Sequence, residues 1–165
     1  MPAPILPLID AVTHWPERGA LIGLDLGTKT IGVAVSDPDR RLATGVETLH
    51  RKAFKADAAR LLAISGERKA VGFLLGLPIN MDGSEGPRAQ STRAFARNFS
   101  NLTGLAIALW DERLSTAAVT RTLLEADTSR RRRDEVVDKL AASFILQGFL
   151  DRLHLAARAD DLRRL

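Results

Sequence analysis

Two apolar, β-prone runs open the ordered part of the chain, Leu21-Ile22-Gly23-Leu24-Asp25-Leu26 and Thr30-Ile31-Gly32-Val33-Ala34-Val35-Ser36-Asp37, joined by Gly27-Thr28-Lys29. The β-like pattern continues over residues 41–49, so the short links predict a three-strand antiparallel meander. The period then changes. Apolar positions at Phe54, Ala58, Leu61, Leu62 and Ile64 predict an amphipathic helix over 54–69, closed near Ser65-Gly66. Residues 70–77 are a continuous apolar run stopped by Pro78, the pattern of a parallel strand buried on both faces. A turn at 80–84 feeds a helix with Pro87 in its first turn, running to about residue 101. Residues 105–110 predict another buried strand with Asp111-Glu112 at its C-terminal end, followed by a short helix from a Ser115 N-cap to about residue 125. The unbroken Arg130-Arg131-Arg132-Arg133 reads as a loop. A final helix is expected over about 134–155, with Val137, Leu140, Ala141, Phe144 and Gly148 as its core-facing stripe.

The order is thus three strands, helix, strand, helix, strand, helix, helix, with no internal repeat. It predicts an α/β fold: a five-stranded mixed sheet, the meander followed by strand-helix alternation, with helices on both faces. This arrangement resembles the ribonuclease H-like fold, in which a carboxylate on the first strand faces others from a later strand and a late helix. Residues 1–18, which hold four of the seven prolines, are expected to be a loose extension. One domain is expected over 19–155, and 156–165 form a basic C-terminal tail.

Composition narrows the chemistry. At 165 residues and 45% hydrophobic, the chain can bury one substantial core but is short for two catalytic lobes. No apolar stretch reaches the roughly 18 residues needed to span a bilayer, and the N-terminus lacks the charged and apolar regions of a signal peptide. A soluble cytoplasmic protein without a membrane partner is the expectation. The absence of cysteine excludes disulfides, a thiol nucleophile and Cys-ligated metals. His14, His50 and His154 show no paired spacing, and the sequons at Asn98 and Asn101 fall in an expected helix end, so neither set carries a role. A net charge of +4 with clustered arginines suits polyanionic partners. With aromatics at 5% and no tyrosine, stacking on single-stranded bases is not the obvious mode of recognition.

Asp25 is the costly residue. Aspartate is depleted from strands, and an ionised carboxylate among apolar side chains must be paired or neutralised. A strand-end position accepting hydrogen bonds from the Gly27 and Thr28 amides would meet that need, and so would a cation. Glu112 ends an apolar strand, where open α/β sheets place their ligand crevice; Asp111 beside it should point to the opposite face. On the last helix Asp138 lies about 100° round from Val137, at the edge of the core stripe, and Asp134 one turn earlier could cap the helix. Three carboxylates on these elements suit a hard divalent cation, since Mg²⁺ takes oxygen ligands and typically one or two carboxylates plus water and phosphate. Such sites hydrolyse phosphodiesters without histidine or cysteine.

Four segments carry a resemblance to a known family. Residues 23–37, Gly76-Leu77-Pro78-Ile79-Asn80-Met81-Asp82-Gly83, Asp111-Glu112-Arg113-Leu114-Ser115-Thr116 and Asp138-Lys139-Leu140-Ala141-Ala142 are similar to the signatures of the YqgF family, over about residues 20–152. Its members are described as RNase H-like pre-16S ribosomal RNA nucleases, earlier as Holliday junction resolvases. The resemblance implies cytoplasmic phosphodiester hydrolysis with Mg²⁺ or Mn²⁺ and catalytic, metal-holding carboxylates at Asp25, Glu112 and Asp138. Junction resolvases of the superfamily often carry a second acidic group one turn after the helix aspartate. Here that place is Ala141, which favours structured RNA over branched DNA. Lys29, Asn80, Arg88, Arg113 and the arginines at 130, 131, 132 and 133 are the candidate substrate contacts, and a monomer or homodimer is expected.

Two other classes compete. Asp25-Leu26-Gly27-Thr28-Lys29 also resembles the phosphate hairpin of sugar kinases and actin-like ATPases, but those need two lobes and nothing here repeats the motif. A P-loop is excluded because three residues rather than four separate Gly23 from Gly27, and Thr28 intervenes before Lys29. A non-catalytic RNA-binding or ribosome-assembly factor, with a structural ion at the carboxylates, would need only the basic segment.

Overall fold

In the computed structural model, residues 4–6, 14–114 and 130–163 are described, with side chains of the last helix over 137–156. The strands are β1 (Ile5–Leu6), β2 (Ala20–Leu26), β3 (Thr30–Ser36), β4 (Ala43–His50), β5 (Ala70–Leu77) and β6 (Ile107–Asp111); the helices are α1 (Phe54–Glu67), α2 (Pro87–Ser100) and α3 (Arg130–Arg163). β2, β3 and β4 form the antiparallel meander, and β5 and β6 add in parallel beside β2. These are the five strands of the mixed sheet expected from the pattern. A sixth, β1, pairs in parallel with β6 at the edge, giving the order β1-β6-β5-β2-β3-β4.

The N-terminal segment is therefore not loose throughout. Trp15 is buried, donates from Nε1 to the carbonyl oxygen of Ala106 at 3.2 Å, and meets the Phe149 ring edge-on. Gly72 makes this possible, since a Cβ there would fall on the indole. Arg40, in the left-handed region at φ 58°, fastens the segment further by donating to the carbonyls of Pro16 and Gly19.

Alternation along the strands divides the core in two. Ile22, Leu24, Leu26, Ile31, Val33, Phe73 and Leu75 face α1 and α2, whereas Leu21, Ala34, Leu74, Ala108 and Trp110 face α3. The α3 stripe differs from the expected one. Val137, Ala141, Ala142, Ile145, Leu146, Phe149 and Leu150 are buried, while Leu140, Phe144 and Gly148 are only half-buried. The reason lies in the sheet: Gly23, Gly32 and Gly45 leave a trough in which the helix backbone itself rests. A Cβ on Gly23 would stand 2.8 Å from Leu146 Cβ, and one on Gly45 2.8 Å from the Lys139 carbonyl oxygen. Small residues at 141 and 142 then face the strands, while Leu140 and Phe144 stay only half-buried.

The arginines at 130–133 are not a loop, because their backbone is already helical, and α3 extends to Arg163, past the expected end near 155 and through most of the expected tail. Arginine is a good helix former. The helix expected from Ser115 to about residue 125 lies outside the described residues, as do the side chains of 130–133. Among the described residues no helix is long and apolar enough to cross a membrane.

Candidate active site

The β2–β3 hairpin closes over Thr28 and Lys29, with the Gly27 amide donating to the Thr30 carbonyl at 2.9 Å. That register sets Asp25 opposite Gly32 on β3. On its other side the last paired positions of β2 and β5 are Leu24 and Leu75, so the next residues, Asp25 and Gly76, are also neighbours. Asp25, 2% exposed, thus stands between two glycines on the α3 face of the sheet.

Each glycine makes room for another carboxylate-bearing residue. Over Gly32 lies the backbone of Asp138, whose carbonyl oxygen a Cβ on Gly32 would overlap. Over Gly76 lies Glu112, whose Oε1 would be 2.6 Å from a Cβ on Gly76 and whose Cγ would be 3.1 Å away. Glu112 and the backbone of Asp138 therefore lie over the glycines on either side of Asp25. The side chain of Asp138 accepts a hydrogen bond from Thr30 Oγ1 at 2.5 Å. Thr30 lies two residues from Gly32 and so shares its face; the hairpin register signals this, although the sequence motifs do not single it out.

Asp111 looks elsewhere. Its carboxylate takes a forked hydrogen bond from Arg113, 3.1 Å from Nε and 2.8 Å from Nη2, and another from the Arg113 amide. The guanidinium holds the Asp111 carboxyl below the usual range, and the pair raises the Arg113 pKa in turn. Arg113 also reaches the Asn80 carbonyl at 3.4 Å, so this candidate contact is tied to Asp111 and to the turn at 80–84. Asn80 is likewise engaged: its side-chain amide donates to Ser84 Oγ at 3.0 Å, closing the turn at 80–84 that carries the exposed Met81. Ser84, by hydroxyl and amide, also holds the Asp82 carboxyl below its ordinary value. Lys29 is exposed at the hairpin tip, and Arg88 lies across the end of β2, donating to the Leu26 carbonyl at 3.4 Å. Ala141 is buried against the sheet.

Among the described residues no three histidine or acidic side chains stand together as a preformed metal cage. The donor set nevertheless has the right chemistry for a hard cation, because Mg²⁺ commonly draws one or two protein carboxylates and completes its shell with water and substrate phosphate. Asp25, fixed in the sheet, with Glu112 and Asp138 on either side, comprises the residues able to supply that oxygen.

The fold is of the ribonuclease H-like class, and the relatives of the chain make it a nuclease. Residues 19–152 match the family model described as "RuvX: Holliday junction resolvase", and the chain belongs to that family, also called YqgF. A protein of Bradyrhizobium sp. strain BTAi1, bearing the name "Putative pre-16S rRNA nuclease", is 79% identical over 159 residues, covering 96% of this chain and 99% of its own. A protein of the same name from Nitrobacter hamburgensis is 76% identical over 160 residues, covering 97% and 98% of the two chains. Among solved structures, Thermus thermophilus RuvC in complex with a Holliday junction substrate superposes with a TM-score of 0.52 at 11% identity, covering 82% of this chain and 96% of that one. At that identity the likeness concerns the fold.

Proposed function

We propose that the protein is a divalent-metal-dependent nuclease that hydrolyses phosphodiester bonds of structured RNA, in 5′ processing of pre-16S ribosomal RNA in the cytoplasm. The observation that carries this reading is the placement of Glu112 and Asp138 over the two glycines that flank Asp25. The names of the curated relatives supply the substrate. Asp25, Glu112 and Asp138 are the residues that would hold Mg²⁺ or Mn²⁺, which supplies an activated water and charge stabilisation at the phosphorus when bound. The chain's own residues do the positioning. Asp25 is held by the sheet, Thr30 orients the Asp138 carboxylate, and Lys29, Arg88 and the arginines at 130–133 offer positive charge to the nucleic-acid backbone. A four-way DNA junction is the second reading, favoured by the description of the family model.

One assay separates the readings. Purified protein is given precursor 16S RNA, a four-way DNA junction and ATP, each with Mg²⁺ or Mn²⁺, and the products are resolved on gels. Cleavage of the RNA alone is the expected result; cleavage confined to the junction would replace the first reading with the second. Failure on all three would leave the non-catalytic binding factor.

Thr30 offers a finer test. Thr30→Val keeps the shape but removes the hydrogen bond to Asp138, and loss of a residue that orients a metal ligand typically costs about 10–100-fold in metal affinity or activity. The Mn²⁺ concentration for half-maximal cleavage should rise by about that factor, with Thr30→Ser restoring it and thermal melting little changed. An unaltered Mn²⁺ requirement would remove Thr30 from the site.

A further inference from the structure

On the sheet face away from α3, a cleft of about 250 Å³ opens at the end of β2, where Leu26, Gly27 and Thr28 meet the first turns of α2. Two guanidinium groups line it. Arg51 donates from Nη1 to the Gly27 carbonyl at 2.7 Å and lies over the Phe95 ring, 5.9 Å from its centroid. Arg88 reaches the Leu26 carbonyl from the other side. A guanidinium has five N–H donors, and these contacts occupy few of them. Elsewhere the arginines Arg18, Arg60, Arg93 and Arg113 each meet a carboxylate. In this cleft, among the described residues, no carboxylate pairs with either arginine. The nearby end of α2 adds to the positive field: its first turn has Pro87, no acidic residue and no side-chain cap, so its free amides and the helix dipole favour an anion. Ser91 lies in the same wall.

We infer that this cleft is a phosphate subsite, in which Arg51 and Arg88 grip a backbone phosphate of the strand cut at Asp25. The identity of that strand rests on the nuclease reading; the affinity for a phosphate does not. Asp25 faces α3, while the cleft begins one residue later on the opposite face. A strand held at both places must cross the end of the β2–β3 hairpin, where Lys29 is exposed. Arg51 and Arg88 are then positioning residues that fix which phosphate reaches the carboxylates.

The test uses the full chain without divalent ions, in EDTA, titrated with inorganic phosphate while the amide resonances of Gly27, Thr28 and Ser91 are followed by NMR. Saturable shifts are expected in the wild type, with at least tenfold weaker binding in the Arg51→Gln, Arg88→Gln double variant. Because Arg51 braces the hairpin, Arg88→Gln alone is run beside it; Arg88 is exposed and makes one long hydrogen bond, so this variant should fold normally and still weaken phosphate severalfold. No saturable shifts in the wild type, or equal affinity in Arg88→Gln, would overturn the subsite. In a second arm, nucleic-acid affinity is measured against salt concentration. The double variant should show a slope of log affinity against log salt shallower by about 0.7–0.9 for each phosphate that the protein no longer neutralises. An unchanged slope with phosphate binding intact would overturn the assignment to the substrate strand. Absence of cleavage on every substrate would defeat the nuclease reading instead, without touching the phosphate titration.

Discussion

Asp25→Asn is expected to abolish cleavage while leaving nucleic-acid binding intact. The substitution keeps the size of the side chain in a position only 2% exposed, so the packing between Gly32 and Gly76 should survive. What it removes is the negative charge that would hold a divalent cation between Glu112 and Asp138. A loss of about a thousandfold or more in single-turnover rate is anticipated, equivalent to about 4 kcal/mol of transition-state stabilisation. Asparagine keeps an acceptor oxygen at the same place, so the variant should stay folded, and thermal melting in EDTA checks that the lost cleavage is not lost structure. Filter binding of precursor RNA should be nearly unchanged, since the phosphate contacts are assigned to basic residues. Cleavage by the purified variant at the wild-type rate would eliminate Asp25 as a catalytic group and restore the binding-factor alternative.

Gly32→Ala should be among the most destabilising single-methyl changes in the chain. Its Cβ would overlap the carbonyl oxygen of Asp138, a backbone atom of a helix that also packs on Gly23 and Gly45. A flexible side chain could step aside; the helix backbone cannot. Overpacking typically costs about 1–3 kcal/mol and occasionally more, and an obstacle made of backbone places this site at or above about 3 kcal/mol. Gly66→Ala is the matched control. It lies in α1, where a methyl on residue 66 would find nothing within 4 Å, and relief of glycine's backbone entropy should stabilise it by about 0.5–1 kcal/mol. Urea denaturation of both variants checks the pair. A Gly32→Ala midpoint matching the wild type would mean that α3 can shift freely off the trough, and that the placement of Asp138 does not depend on it.

Much of this architecture is legible in the sequence, for identifiable reasons. The meander, the two buried strands and the helices between them are long enough for their periods to show, and a carboxylate in an apolar strand signals its own cost at Asp25. Other features leave weak local traces. β1 has two residues, too few for alternation, and its pairing depends on β6, about a hundred residues away. The four arginines read as a loop when charge is weighed above helix propensity. The α3 stripe departs from its expected place because its orientation is set by glycines on three other strands. Arg113 looks available to substrate in the sequence, but Asp111, two residues back, holds it. Arg51 carries no local signal at all, since only the fold brings it beside Arg88.

The two tryptophans of the chain also sit in a useful place. Trp15, from the N-terminal segment, and Trp110, from β6, both meet the Phe149 ring of α3 edge-on, with centroids 5.7 and 6.0 Å apart. Every indole in the molecule therefore reports on the seating of one helix, the one that carries Asp138. Intrinsic fluorescence, with no label attached, becomes a spectroscopic gauge of whether that helix is docked, against which ion binding, substrate binding and each glycine variant can be followed in real time.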